Sequence, residues 1–315
     1  MRVHQFRAVF LAAEVCFLVV HAYAQQSPPE SKVVVNTRLV SVNVAVTDHS
    51  GRSVDGLSAT NFRIFDNQVE QQISQFSTDD QPASIGVVFD LSGSMQGNRI
   101  EVARTAFERL METSHREDEY FVFGFDSRVR IEFRGARNVA SVFNRVKEIE
   151  PQGDTALYDA TAEALDAFAS ARYHKRAIII LSDGEDNQSR ISLRELRRRI
   201  VESGVIVYTV LVGSIIPHAT GRAVLAELAS SSGGRAFFPV NTDALEATFG
   251  RIANEIRRSY NLAFQPTGFE PDGSFHRLRI EVIRPEPNLK SVVRARKGYI
   301  ALENPSGMSA EGPDR

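Results

Sequence analysis

Residues 84–95 read SIGVVFDLSGSM, and their pattern indicates the class of fold. Its first six residues are almost wholly apolar, a pattern that predicts a short strand buried on both faces. Asp90, Ser92 and Ser94 follow at alternate positions, and an amphipathic helix is predicted over 99–114. The stretch therefore predicts a buried strand, a polar loop and a helix in succession.

The alternation of buried strands and amphipathic helices continues along the middle of the chain. Further strands are predicted at 120–125, 177–181, 205–212 and 235–238, and further helices at 139–149, 156–171, 193–203, 223–230 and 242–257. Strands that are apolar at every position need cover on both faces, so we expect a Rossmann-like α/β domain over 83–258 with a mostly parallel central sheet.

The two flanks of this domain have the two-residue period of strands with one buried face. Val40, Val42, Val44 and Val46 alternate with small residues, most of them polar, and the run 69–76 is predicted to be one strand. Similar alternation occurs around residues 278–282. We expect segments 33–80 and 259–301 to form one small β-sandwich, with the α/β domain inserted between its halves.

The beginning of the chain has the layout of a secretory signal peptide. Arg2 and Arg7 precede an apolar run from Ala8 to Val20, and residues 22–24 read AYA, an A-x-A cleavage site. The run is shorter than the roughly 20 residues that span a membrane. We expect residues 1–24 to be removed, and the mature protein to be periplasmic or secreted, without a transmembrane anchor. Residues 302–315, rich in small and charged residues, are expected to be a disordered tail.

Composition excludes several classes of function. The chain has 315 residues, 43% of them hydrophobic and 24% charged, as in ordinary soluble proteins. Its one cysteine, Cys16, lies in the predicted signal peptide, so the mature chain offers no disulfide, thiolate metal site or thiol nucleophile. Cleavage leaves 35 basic against 38 acidic residues, a net charge of about −3. That balance gives no electrostatic reason to bind nucleic acid.

The candidate chemistry lies in loops that follow the predicted strands. In an open parallel sheet, ligands bind at the carboxyl ends of the strands. Asp90, Ser92 and Ser94 lie there, Asp183 follows strand 177–181, and Thr155 precedes a helix in a third loop. Oxygen ligands with little charge suit Mg²⁺ or Mn²⁺. Because one or two carboxylates leave a divalent cation partly uncompensated, an acidic side chain from a partner is expected to join it.

The pattern DLSGS at residues 90–94 resembles the DxSxS signature of the von Willebrand factor type A domain. Thr155 in GDTALYDA and Asp183 in LSDG match the later elements of that family's metal-ion-dependent adhesion site. The resemblance covers residues 83–258, and it implies a metal site formed by Asp90, Ser92, Ser94, Thr155 and Asp183. By the family's pattern Asp90 binds the metal directly or through water depending on the state, and Ser92 and Ser94 are direct ligands. The same pattern implies that Thr155 binds the metal in the ligand-bound form and that Asp183 acts mostly through water. The flanks are similar to exported "VWFA-related" proteins described from acidobacteria.

These observations leave three hypotheses for the function. The first is an exported adhesion or assembly module that binds Mg²⁺, with Mn²⁺ or Ca²⁺ as alternatives, recruits an Asp or Glu of a partner protein, and catalyses nothing. The second is a domain that the metal only stabilises. The third is a metal-dependent phosphotransferase or hydrolase. Such an enzyme needs a second carboxylate two residues after Asp90, where the chain has Ser92. Asp154, Glu185 and Asp186 are interpreted as capping or solvent-facing acids, and Asp126 as a turn residue, with a position at the border of the site as the alternative. The histidines at 49, 115, 174, 218 and 276 are interpreted as surface residues.

Overall fold

The structure is a computed structural model that describes residues 39–78, 82–113, 115–136, 139–212, 219–268, 272–283 and 291–301. The predicted signal peptide, residues 1–24, and the predicted tail, residues 302–315, lie outside the described residues. No helix within the described ranges is long and apolar enough to cross a membrane.

The described residues form fourteen strands and six α-helices. The strands are β1 (Val40–Thr47), β2 (Phe62–Asp66), β3 (Val69–Gln71), β4 (Ile73–Ser77), β5 (Ser84–Asp90), β6 (Glu119–Phe125), β7 (Val129–Ala136), β8 (Arg176–Ser182), β9 (Ile206–Leu211), β10 (Ala236–Phe237), β11 (Tyr260–Phe264), β12 (Phe275–Val282), β13 (Val292–Arg294) and β14 (Gly298–Ile300). The helices are α1 (Asn98–Thr113), α2 (Val139–Lys147), α3 (Leu157–Ala167), α4 (Leu193–Ser203), α5 (Ala219–Ser232) and α6 (Thr242–Arg257).

A six-stranded sheet in the order β10-β9-β8-β5-β6-β7 forms the centre of the α/β domain. Its first five strands are parallel and β7 is antiparallel at the edge. The mostly parallel Rossmann-like sheet expected from the sequence is therefore present. The strand β7 was not predicted, because its exposed edge position lets polar residues alternate through it.

Helices cover both faces of this sheet, and β5 contributes side chains to both. Val87 and Phe89 pack into a cluster with α1, α2 and α6, while Val88 packs into a second cluster with α3, α4 and α5. All seven residues of β5 are buried. Each fully buried valine, leucine or phenylalanine contributes about 1.5–3 kcal/mol relative to exposure. This two-sided burial fixes β5, and with it the position of the loop that follows Asp90.

The two flanks form two four-stranded antiparallel sheets, ordered β13-β1-β11-β4 and β14-β12-β2-β3. Val42 and Leu262 from the first sheet lie in one apolar cluster with Ile64 and Leu278 from the second. Both sheets mix strands from before and after the α/β domain, as the predicted sandwich requires. The strands that enter and leave the inserted domain, β4 and β11, are hydrogen-bonded neighbours.

Two expectations about the flanks were wrong. The run Val69–Phe76 is two strands, because the chain passes at Gln72 from β3 in one sheet to β4 in the other. His276 is half-buried, with Nδ1 at 2.9 Å from Oδ1 of Asp66 and 3.1 Å from the hydroxyl of Tyr299. Strand pairing between β2, β12 and β14 brings these three side chains together, and local sequence does not reveal it.

Candidate metal site

Asp90 is the last residue of β5 and stands at the carboxyl edge of the central sheet. Its side chain is fully buried, and it lies opposite Phe125 in the register of β5 with β6. The next amide, that of Leu91, donates to the carbonyl of Phe125 at 2.7 Å. The chain then turns through one helical turn over Gly93–Met95. The loop therefore begins from a fixed point within the sheet.

Hydrogen bonds link the three residues of the DxSxS pattern. The backbone N–H of Ser92 donates to Oδ1 of Asp90 at 2.9 Å, and the Ser92 hydroxyl donates to the same oxygen at 2.6 Å. The hydroxyl oxygens of Ser92 and Ser94 are 3.1 Å apart. One carboxylate and two hydroxyls thus face a common centre.

A fourth polar group, Ser182, also belongs to this cluster and was not identified from the sequence. Its hydroxyl donates to Oδ2 of Asp90 at 2.6 Å and accepts from the backbone N–H of Gly184 at 3.0 Å. Because β5 and β8 pair in parallel, with Phe89 opposite Leu181, the last residues of the two strands meet. Parallel pairing of the two predicted strands was the signal that could have found it.

The environment of Asp90 determines its protonation. Burial raises the pKa of Asp90 to about 6, against hydrogen bonds from Ser182 and Ser92 that lower it. The charge of Asp183 raises the pKa further, so the two carboxylates lie within electrostatic reach of each other. A bound cation would offset both the desolvation of Asp90 and this repulsion.

The loop after β8 carries Asp183 and is held in place by a close backbone contact. Asp183 is partly exposed, and its Oδ1 accepts from the backbone N–H of Glu185 at 3.2 Å. Gly184 has a positive φ of 83°, and a Cβ there would lie 2.4 Å from the carbonyl oxygen of Gly221 in α5. Only glycine satisfies both constraints, so α5 fixes the position of this loop.

Thr155 lies in a third loop that is bonded to the other two. The amide of Gly93 donates to the carbonyl of Gly153 at 3.0 Å, which joins the first loop to the third. The amide of Thr155 donates to Oδ1 of Asn187 at 2.8 Å, and the carbonyl of Thr155 accepts from the amides of Asn187 and Gln188. Thr155 itself is buried.

The structure thus brings the five predicted residues to one edge of the sheet, with different degrees of contact. Asp90, Ser92 and Ser94 are linked by hydrogen bonds, and Asp183 acts on Asp90 through its charge. Thr155 is positioned through its backbone. Among the described residues, no hydrogen bond joins the Thr155 hydroxyl to the other four side chains.

The neighbouring acids have structural partners. Asp126 is buried in the turn after β6, where its Oδ2 accepts from Arg130 at 2.5 Å. Asp186 accepts from the backbone N–H of Tyr158 at 3.0 Å, which caps the start of α3. Asp154 and Glu185 are exposed. These observations agree with the interpretation of the four acids as turn, capping or solvent-facing residues.

The donor set fits a hard divalent cation. Its oxygens belong to two carboxylates and three hydroxyls. Elsewhere the described residues contain no group of three or more His, Cys, Asp or Glu that could hold a metal ion. Neighbouring ligands of an octahedral Mg²⁺ with bonds of about 2.1 Å lie roughly 2.9 Å apart. The separation of 3.1 Å between the Ser92 and Ser94 oxygens is close to that distance between neighbouring ligands. These two hydroxyls can therefore occupy adjacent positions around one ion.

Comparison with known proteins agrees with this fold. The family model of the von Willebrand factor type A domain matches residues 85–185. An uncharacterised protein of Synechocystis sp. is 26% identical over 181 residues, covering 55% of this chain and 42% of the relative. The inter-alpha-trypsin inhibitor heavy chain H4 of Sus scrofa is 24% identical over 194 residues, which cover 56% of this chain and 21% of that relative. The chain therefore spans less than half the length of either relative.

Among solved structures, a von Willebrand factor type A protein from Catenulispora acidiphila superposes with a TM-score of 0.47 at 11% identity. The superposition covers 84% of this chain and 75% of that one.

Proposed function

This chain carries a von Willebrand factor type A domain, and from that premise we propose that it is a metal-dependent protein-binding module for adhesion or assembly. In this proposal a divalent cation, Mg²⁺ first and Mn²⁺ or Ca²⁺ as alternatives, is held at the carboxyl edge of the central sheet. An Asp or Glu side chain of a partner protein completes its coordination. The module itself catalyses no reaction.

The observation that carries the proposal is the convergence of Asp90, Ser92 and Ser94 on one buried point. Two hydroxyl oxygens 3.1 Å apart, with a carboxylate hydrogen-bonded to one of them, bring three oxygen-bearing side chains together. Asp183 adds a second carboxylate from the loop after β8, and Thr155 adds a hydroxyl from the loop before α3. In our proposal the serines bind directly, Asp183 binds through water, and Thr155 binds when a partner is present.

The low charge of the ligand set supports recruitment of an external acid. Hydroxyl ligands bring no charge, so Asp90 is the only carboxylate in the first loop. A divalent cation held mainly by neutral oxygens retains positive charge toward solvent. That charge favours a carboxylate from another protein as the next ligand.

The alternative of a purely structural metal has less support from the contacts. The three loops are already joined by protein hydrogen bonds, from Gly93 to Gly153 and between Thr155 and Asn187. A metal is therefore not needed to hold the loops together. For the enzymatic alternative, the position two residues after Asp90 is Ser92, which donates its hydroxyl to Asp90 and offers no second carboxylate.

Metal binding is tested by isothermal titration of the EDTA-stripped protein with Mg²⁺ and Mn²⁺. We expect one site per chain in the wild type and at least a 100-fold loss of affinity in Asp90→Asn, because the anionic ligand is removed while its shape is kept. Asp154→Asn removes an exposed carboxylate one residue before Thr155 and serves as the matched control. Equal affinities in all three proteins would contradict the proposed site.

Partner recruitment is tested by capture from a native envelope fraction, since the predicted signal peptide directs the chain out of the cytoplasm. The proposal expects a protein that binds the wild type with Mg²⁺, is released by EDTA, and is not captured by Asp90→Asn. If the same protein is captured in the presence of EDTA and by Asp90→Asn, partner binding does not depend on the metal and the proposal is wrong. Chelation that lowers the melting temperature but leaves capture intact would favour the structural alternative.

A further inference from the structure

The start of α3 is capped by the β8–α4 loop, residues 183–192, and not by its own sequence. The residue before the helix is Ala156, which makes no capping hydrogen bond through its side chain. The backbone N–H of Tyr158 donates instead to Oδ2 of Asp186 and to the hydroxyl of Ser189, each at 3.0 Å. The first N–H groups of a helix have no partner within the helix, so α3 depends on this loop.

The support between the loop and the helix is reciprocal. Asp159, in the first turn of α3, accepts through Oδ1 from the backbone N–H groups of Arg190 and Ile191, each at 3.1 Å. The β8–α4 loop and the start of α3 therefore form one hydrogen-bonded unit. Two of the proposed metal ligands belong to it, since Asp183 opens the loop and Thr155 lies two residues before the helix.

Asn187 is the residue of the loop that contacts Thr155 most closely. Its side-chain Oδ1 accepts from the N–H of Thr155 at 2.8 Å, and its own N–H donates to the carbonyl of Thr155 at 3.0 Å. The N–H of Gln188 donates to the same carbonyl at 3.1 Å. Both polar groups of the Thr155 backbone are thus bonded to the loop. Because threonine is β-branched, rotation about its Cα–Cβ bond is restricted as well.

We propose that Asn187 is the positioning residue for Thr155, the ligand that joins the cation when a partner carboxylate is present. Asn187 acts through the backbone of Thr155 and is not itself a ligand. It also joins Thr155 to the loop that carries Asp183, so the two ligands are placed as one unit. The inference rests on the proposed function and assigns a further residue to its partner-dependent step. Groups that orient a metal ligand typically contribute about 10- to 100-fold to affinity.

The test is isothermal titration of the protein with Mn²⁺ in sodium acetate and, separately, in sodium chloride at the same ionic strength. Acetate is the probe because it carries the carboxylate of an acidic side chain. We expect acetate to tighten Mn²⁺ binding about 10-fold in the wild type, and this gain to fall below about 3-fold in Asn187→Ala and in Thr155→Val. The double variant should behave as Thr155→Val alone, because Asn187 acts through Thr155.

Gln188→Ala is the matched control. It truncates the exposed side chain that follows Asn187 but keeps the backbone N–H that donates to Thr155, so its gain from acetate should equal that of the wild type. In chloride, Asn187→Ala and Gln188→Ala should bind Mn²⁺ equally, because the ligands of the first loop are unchanged in both. Thermal unfolding in EDTA shows that each variant is folded.

Three results would overturn the assignment of Asn187 alone. Equal gains from acetate in Asn187→Ala and Gln188→Ala would show that the contact with Thr155 does not matter. A double variant that binds Mn²⁺ in acetate more weakly than Thr155→Val would show that Asn187 acts by another route. Unfolding of Asn187→Ala, or an equal loss of Mn²⁺ affinity in both salts, would show that Asn187 maintains the fold and not the ligand.

Failure of the proposed function has a different signature. If acetate gives no gain in the wild type, the cation does not recruit an external carboxylate, and the inference falls with that proposal. If Asp90→Asn binds Mn²⁺ as the wild type does in both salts, the metal site itself is wrong.

Discussion

Ser182→Ala is the substitution that most sharply tests how Asp90 is held. It removes the hydroxyl that donates to Oδ2 of Asp90 at 2.6 Å and accepts from the Gly184 amide at 3.0 Å. A hydrogen bond to a charged group contributes about 1.5–3 kcal/mol, and each buried group left unpaired adds to the cost. We therefore expect a loss of about 3 kcal/mol in the free energy of unfolding. Metal affinity should fall roughly 10- to 100-fold, as for other groups that orient a metal ligand.

The assay is thermal unfolding in EDTA, followed by titration with Mg²⁺. A change of 1 kcal/mol shifts the melting temperature by roughly 2–4 °C in a protein of this size, so a decrease of roughly 6–12 °C is expected. Ser203→Ala is the matched control, because the Ser203 hydroxyl likewise accepts from the backbone N–H two residues further on, that of Val205 at 3.2 Å, but donates to the carbonyl of Ile200 in its own helix and not to a carboxylate. If Ser182→Ala melts within about 1 °C of this control and binds Mg²⁺ equally well, the assigned role of Ser182 is wrong.

Two further substitutions test the supports around the site. Gly221→Ala places a Cβ 2.3 Å from the carbonyl oxygen of Asp183, so it should lower the free energy of unfolding by about 1–3 kcal/mol and weaken Mg²⁺ binding. Gly250→Ala is the control, because beyond its own helix backbone and its two chain neighbours no atom lies within 4 Å of the new Cβ. It should stabilise α6 by about 0.5–1 kcal/mol. Denaturation and titration of both variants check this, and equal effects would contradict it. Glu255→Ala leaves the half-buried Arg294, 2.6 Å away, without its ion-pair partner, and should cost about 3 kcal/mol. A change below about 1 kcal/mol in urea denaturation would show that the pair adds little to the junction of α6 and β13.

Most of the central sheet was predictable because its inner strands are almost wholly apolar. Val87, Val88 and Phe89 can satisfy such a pattern only between two layers of helices, and the structure buries them there. The same reasoning missed β7, whose edge position needs no continuous apolar run. The strands β3 and β4 were predicted as one strand, because the chain stays extended where it passes between the two sheets at Gln72 and its local sequence does not mark the change.

The candidate site was predictable to the extent that its residues follow one another along the chain. Asp90, Ser92 and Ser94 lie within five residues of one another, so spacing indicates a cluster, although the helical turn at Gly93–Met95, and not an extended loop, places Ser94 beside Ser92. Ser182 was missed because it reaches Asp90 through the pairing of β5 with β8, a contact between residues far apart in sequence. His276 was misplaced for the same reason, since its partners come from strands β2 and β14.

Metal binding at this site is tested most directly by anomalous diffraction at the manganese edge from crystals of the protein grown with MnCl₂. The account predicts one strong peak at direct coordination distance, roughly 2.0–2.3 Å, from the hydroxyl oxygens of Ser92 and Ser94. It also predicts that the peak is absent from crystals of Asp90→Asn. A peak at Asp154 or Asp186 instead, or no peak near the carboxyl end of β5 at saturating Mn²⁺, would contradict the account.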